Sequence, residues 1–325
     1  MRRIKIVVSA VLALAVAAGL YGCMRSRQEP LTWRLRGELP KLPEKLDTED
    51  GLPVLKVYDI GAKTIEEMNI EDYVAGVVAG EMKNDWPEEA LKAQAILART
   101  FVLKFCQDKK SKYDGADIST DIAEAQAYDA SSVNDRVKSA VRETRGQVMA
   151  VNGEYPYAWF HAHSGGMTEL PSVALDFKGD DPDYLRPTAS MESERAPENV
   201  KRWEASFTKK QVASACAGAG LNVDGIDSVE PGEKGESGRL KTLLVNGQAV
   251  SAPSFRIEIG AKKLKSTLID GIKVEGDRVT FTGRGFGHGV GMSQWGAYGM
   301  AEGGAGARQI VEHYFPGVDI VKLWE

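Results

Sequence analysis

Histidine, cysteine and positive charge are all scarce in this chain. Of its 325 residues four are His and three are Cys, and Lys plus Arg are outnumbered by Asp plus Glu, 41 to 46. The net charge of −5 leaves no basic face for nucleic acid. With Arg2, Arg3 and Lys5 set aside, the remainder carries about −8. Cys106 and Cys216 stand far apart, show no disulfide pattern, and read as single buried thiols. No internal repeat is present. Hydrophobic content of 43% and charged content of 27% are those of an ordinary globular protein, and the length suits one large or two modest domains.

The N-terminus carries Met1-Arg2-Arg3, then an apolar run from Ile6 to Tyr21, short for a spanning helix and long for a signal core. It ends at Gly22-Cys23. Residues 1–23 therefore read as an uncleaved membrane anchor or as a lipoprotein signal processed at Cys23; both put the body of the protein outside the cytoplasmic membrane. Residues 24–53 are charged, carry Pro30, Pro40, Pro43 and Pro53, and read as a tether. The folded domain is expected over 54–325.

The remaining pattern predicts an α+β fold of two lobes with a cleft between them. Helices surround the first half and strands dominate the second. Asn69 caps a helix whose stripe of Tyr73, Val74, Val77, Val78 and Met82 ends at Glu81. A carboxyl set against that stripe loses solvation, so its pKa rises and it stays protonated near neutrality. A second helix follows Pro87, with Arg99 facing the cleft and Lys92 solvated. Val133 to Thr144 reads as a third. Asn152-Gly153 and Asn246-Gly247 mark hairpins, the first returning as a strand from Tyr155 to His163. Strands are expected at Leu55–Tyr58, Gln147–Val151, Trp203–Phe207, Leu240–Val245, Phe255–Ile259 and Val279–Phe281. Helices are expected at Lys209–Ala217 and Gly306–Tyr314. The proline-bearing loop from Glu169 to Pro197 reads as a cleft rim.

Two local patterns bear on chemistry. On a strand His161 and His163 share a face and could hold zinc, but a site needs three or four ligands. Beyond them the chain offers His288, His313 and distant cysteines, so zinc is unsupported and no cofactor is required. From Thr282 to Ala301 the sequence reads TGRGFGHGVGMSQWGAYGMA, with glycine at 283, 285, 287, 289 and 291. So many glycines make a poor plain strand, and suit a backbone that turns tightly or lets another group come close.

Taken together, the segment from Tyr73 to Met82, the block from Trp86 to Ala95 with Arg99-Thr100-Phe101, the stretch Phe160-His161-Ala162-His163-Ser164-Gly165-Gly166 and the run from Gly283 to Ala297 resemble the stage II sporulation protein D family. These are sporulation lytic transglycosylases and relatives that modify autolysins. The resemblance extends from about Leu55 to the C-terminus. It implies a membrane-anchored protein on the mother-cell side, acting during engulfment on peptidoglycan glycan strands that a partner amidase, stage II sporulation protein P, has stripped of peptides. Other engulfment proteins are implied partners. It implies that Glu81 is the acid and base that closes a 1,6-anhydro ring on N-acetylmuramic acid. Some members carry zinc near the strand matching Phe160 to Gly166, which here holds no Cys. Hypothetical substrate contacts are Arg99, Gln126, Tyr128, His161, Ser164, His288, Ser293 and Gln294, with Trp295 packing. This requires the glycine run to fold back beside Glu81. The rival readings are a non-catalytic wall-binding protein that stimulates an amidase or autolysin, and a zinc amidase or peptidase using His161 and His163.

Overall fold

The computed structural model describes residues 38–325, so the expected anchor, the choice of processing at Cys23 and the first part of the expected tether lie outside the described residues. Among the described residues no helix is long and apolar enough to cross a membrane. Pro40, Pro43 and Leu46, in the stretch expected to be tether, are buried.

The fold is α+β. Strands β1 (Asp47–Glu49), β2 (Leu52–Asp59) and β3 (Thr64–Asn69) form an antiparallel sheet, with β4 (Ile118–Ser119) parallel to β2. The chain passes from β3 directly into α1 (Ile70–Glu81), whose start is fixed by Asn69 accepting a hydrogen bond from the Asp72 amide at 2.9 Å. Tyr73, Val74, Val77 and Val78 are fully buried, each stabilising the fold by about 1.5–3 kcal/mol. Extended backbone at Met82 ends the helix, and Pro87 precedes α2 (Glu88–Asp108). Then come α3 (Asp135–Glu143) and β5 (Gln147–Ala150). Lys92 is held by Glu89 and by Glu143 at 2.7 Å, tying α2 to α3 instead of facing solvent. Asn152 and Gly153 adopt positive φ and make the expected turn. The return segment departs from expectation: only β6 (Phe160–His161) is strand, and β5 pairs instead with β14 (Asp319–Lys322).

A second unit of structure is inserted before the chain comes back. It contains β7 (Arg202–Thr208), α4 (Lys209–Gly218), β8 (Val229–Pro231), β9 (Thr242–Val245), β10 (Gln248–Ser251), α5 (Ala252–Gly260), β11 (Ile269–Glu275) and β12 (Arg278–Arg284). Its two sheets run β11-β12-β7 and β10-β9-β8. The Phe255–Ile259 segment, expected as strand, lies within α5. Ser251 accepts from the Ser254 amide and Pro253 sits in the first turn, so the start signal outweighs the β-forming apolar run. The return strand β13 (Met292–Ser293) lies parallel to β6, followed by α6 (Gln294–Glu302) and α7 (Ala307–Tyr314).

Two separate apolar cores result. One joins α1, α2, α3, α6 and α7; the other, from Trp203 to Phe281, belongs to the insertion. The lobes do not follow halves of the sequence.

Candidate active site

Glu81 is the last residue of α1, and small residues beneath it build its surroundings. Gly76 and Gly80 lie one helical turn apart. A Cβ at Gly80 would stand 2.7 Å from the Ala127 carbonyl carbon and the Tyr128 nitrogen, and one at Gly76 would overlap the Tyr128 ring. These two glycines let residues 126–128 cross α1 in close contact. That crossing brings the Ala127 amide to 2.7 Å from Glu81 Oε1. Gln294, at the start of α6, donates from Nε2 to the Glu81 carbonyl at 3.3 Å and its side chain also reaches the carboxyl. Burial drives the Glu81 carboxyl above its ordinary range, and the two donors only partly offset this.

The glycine run does fold back beside Glu81. Gly287, His288 and Gln294 face it across a cleft of about 380 Å³ that also takes in Gln126, His161 and Phe286. The lining comes from the first lobe and from the return loop that follows β12. The alternating glycines permit this approach. Gly291 has φ of 68°, and a Cβ there would overlap the Trp159 carbonyl oxygen that receives the Met292 amide.

Both histidines of the cleft are neutral. The Nδ1 of His288 accepts the Val290 amide at 3.0 Å, and burial, with the Arg256 and Arg239 charges, takes its pKa down to about 3. The Nδ1 of His161 lies 3.1 Å from the Val290 carbonyl and donates to it, which leaves Nε2 as an acceptor. That Nε2 is buried without a partner, and so are both polar atoms of Gln126. Buried polar atoms normally have partners, and both residues line the cleft.

Other expected contacts lie elsewhere. Arg99 does not face the cleft. It is fully buried, with Nη2 2.6 Å from Glu71 Oε2, Nε 3.2 Å from Glu71 Oε1 and Nη1 2.9 Å from the Gln147 carbonyl. Glu71 also accepts the Gly146 amide and the Trp324 indole N–H. Tyr128 fills the Gly76 notch beside Tyr73, with ring centroids 5.6 Å apart, and is wedge rather than cleft wall. Ser164 and Ser293 are both fully buried and donate their hydroxyls to Glu192, Ser293 at 2.9 Å. Ser293 also caps α6. Trp295 packs as expected, with its ring centroid 4.4 Å from that of Trp86. Cys106 and Cys216 are buried free thiols.

His161 and His163 do not act as a pair. His161 turns to the cleft, whereas His163 Nδ1 accepts the Gly165 amide and Nε2 stands 3.7 Å from Glu192. Among the described residues no group of three or more His, Cys, Asp and Glu is arranged to hold a metal ion. The donors of a zinc site do not fit here.

Phe101, Ile122, Trp159, Phe160 and Phe286 also line the cleft without having been singled out by sequence reasoning. The dense aromatic stretch Tyr155 to Phe160 was the available signal. Glu192, which organises Ser164 and Ser293, had none beyond its place in the rim loop.

A family model described as Stage II sporulation protein matches residues 58–150, and one described as a domain of unknown function matches residues 180–291. Three relatives span most of the chain. An uncharacterized protein of Brachyspira hyodysenteriae is 31% identical over 79% of this chain and 68% of its own length. Stage II sporulation protein D of Bacillus amyloliquefaciens is 30% identical over 84% of this chain and 82% of its own. An amidase enhancer of Bacillus subtilis is 27% identical over 75% of this chain and 40% of its own.

Proposed function

Because the chain belongs to the stage II sporulation protein D family, we propose that it serves in sporulation as a peptidoglycan lytic transglycosylase, cutting the bond between N-acetylmuramic acid and N-acetylglucosamine in peptide-stripped strands. The observation that carries this reading is Glu81, a part-buried carboxyl of raised pKa and the one carboxyl among the residues that line this cleft. Paired-carboxylate glycosidases need a second acid as nucleophile or base. A lytic transglycosylase needs one group acting twice. Protonated Glu81 gives its proton to the glycosidic oxygen as the bond to C1 breaks. The resulting carboxylate takes the proton from the muramyl O6, which bonds to C1 and closes the 1,6-anhydro ring. No water is consumed, and Glu81 ends protonated as it began.

The unpaired atoms of Gln126 support an N-acetyl sugar as ligand. Its amide oxygen is matched to an acetamido N–H, and its amide nitrogen to an oxygen elsewhere on the sugar, since the trans acetamide points its own N–H and carbonyl in opposite directions. His161 Nε2 accepts one hydroxyl. Neutral His288 and Gln294 hold the wall opposite Glu81. The domain works outside the cytoplasmic membrane on the mother-cell side, held there by its N-terminal segment, and follows the amidase, stage II sporulation protein P, that clears peptides from the strand.

The amidase enhancer relative supports a second reading, a non-catalytic wall-binding protein that stimulates an amidase or autolysin. Digestion of peptide-free glycan strands with the wild type and Glu81→Gln, followed by mass spectrometry, separates the two. Anhydro-muramyl ends produced by the wild type alone are expected. Reducing ends would mean hydrolysis, and strand binding without cleavage would favour the stimulator.

A further inference from the structure

The cleft at Glu81 does not end at Trp159. Phe101, Ala158 and Trp159 line it on one side and a second hollow of about 370 Å³ on the other. In the second hollow Tyr157 and Trp159 lie parallel, with ring centroids 4.4 Å apart and planes 5° apart. Phe177, from the rim loop, stands edge-on to both at 5.6 Å. Lys104 Nζ lies 4.5 Å from the Tyr157 ring centroid, and Asp108 and Lys109 complete the rim. Tyr157, Trp159 and Phe177 are each only half-buried. Rigid, part-exposed rings around a hollow are recognition surfaces more than core.

We propose that this hollow is a second saccharide subsite, which holds a sugar of the same glycan strand away from the bond that is cut. The inference rests on the glycan-cleaving reading of Glu81. Continuity argues for that occupant: a polymer lying across Glu81 must leave the cleft, and the hollow shares three residues with it. Chemistry agrees. A pyranose offers an apolar C–H face to an aromatic ring and hydroxyls around its edge. Once its peptide is removed, each muramyl residue also bears a free lactyl carboxylate. At this rim Lys104 is paired with Asp108 at 2.9 Å, which leaves Lys109 as the excess cation in a chain of net negative charge, a complement to that anion.

The test uses Glu81→Gln as the binding background, so that strands are held without being cut, and peptide-free glycan fragments of two and of four disaccharide units. Calorimetry is expected to show the longer fragment bound about tenfold more tightly than the shorter. Tyr157→Ala and Phe177→Ala, which replace no residue lining the Glu81 cleft, should each remove most of that gain and keep the short fragment bound. Tyr157→Phe should keep the gain, which separates loss of the ring from loss of the fold. A length-dependent gain that survives both alanine variants overturns the subsite. Equal affinity for both fragments in the Glu81→Gln background overturns it as well. Failure of both fragments to bind would instead overturn the glycan reading of the whole cleft, and the subsite with it.

Discussion

Arg99 offers the sharpest test of how the site is built. The guanidinium and Glu71 are both removed from water, and Glu71 further accepts the Gly146 amide at 3.1 Å and the Trp324 indole at 2.9 Å. Arg99→Met keeps the volume and removes the charge. It strands the Glu71 carboxylate in the core with two neutral donors, a defect that costs about 3–5 kcal/mol. For a domain of this size that lowers the melting temperature by about 10 °C. Adding Glu71→Leu removes the unpaired charge. It leaves Gly146, Trp324 and the Gln147 carbonyl short of partners, at about 1–3 kcal/mol each. Glu71→Leu alone strands Arg99 at a similar cost, so the double variant should be less destabilised than the two single losses summed, with a coupling energy of about 2 kcal/mol. Denaturant unfolding followed by tryptophan fluorescence measures all four corners of the cycle. If Arg99→Met unfolds like the wild type while glycan binding collapses, the buried-pair account is wrong and Arg99 contacts ligand after all.

Three other perturbations are decided by the geometry. The raised pKa of Glu81 means that its protonated form adds stability in full below the unfolded value near 4.5, and that this is lost as pH rises through the higher folded value; cleavage should fall over the same rise, and Glu81→Gln should be the more stable protein at neutral pH, as read by melting curves across pH. Gln126→Leu replaces two unsatisfied buried atoms, so it should stabilise the domain by about 1–3 kcal/mol while weakening binding of N-acetylated strands, and unchanged binding would remove Gln126 from the site. Gly291→Ala adds both a strained φ and a backbone overlap, so a loss of about 3 kcal/mol or more is expected in denaturant unfolding.

What was legible in the sequence followed local rules. The Asn69 cap, the stripe of α1 and the alternation of Trp203 to Phe207 depend on neighbours a few residues away, and each element formed where its pattern placed it. The closeness of the glycine run to Glu81 was legible only through resemblance. What failed depended on distant partners. Arg99 looks like a cleft cation until Glu71, 28 residues earlier, is brought against it. Ser164 and Ser293 look like sugar contacts until Glu192 lies between them, 28 and 101 residues from each. Phe255 to Ile259 carries β-forming residues, and its helical state is set by the cap before it.

The contacts that complete the site also order events in time. Gln294 reaches Glu81 across 213 residues, and Trp324 reaches Glu71 across 253. Loops that long close late in folding. A ribosome delivers Glu81 long before either partner exists, so the early chain holds an ordinary exposed acid. The raised pKa of Glu81 is thus a property of the finished molecule. It arises once residues 126–128 and α6 have closed around the end of α1, and a chain interrupted before α6 would have the motif without that environment.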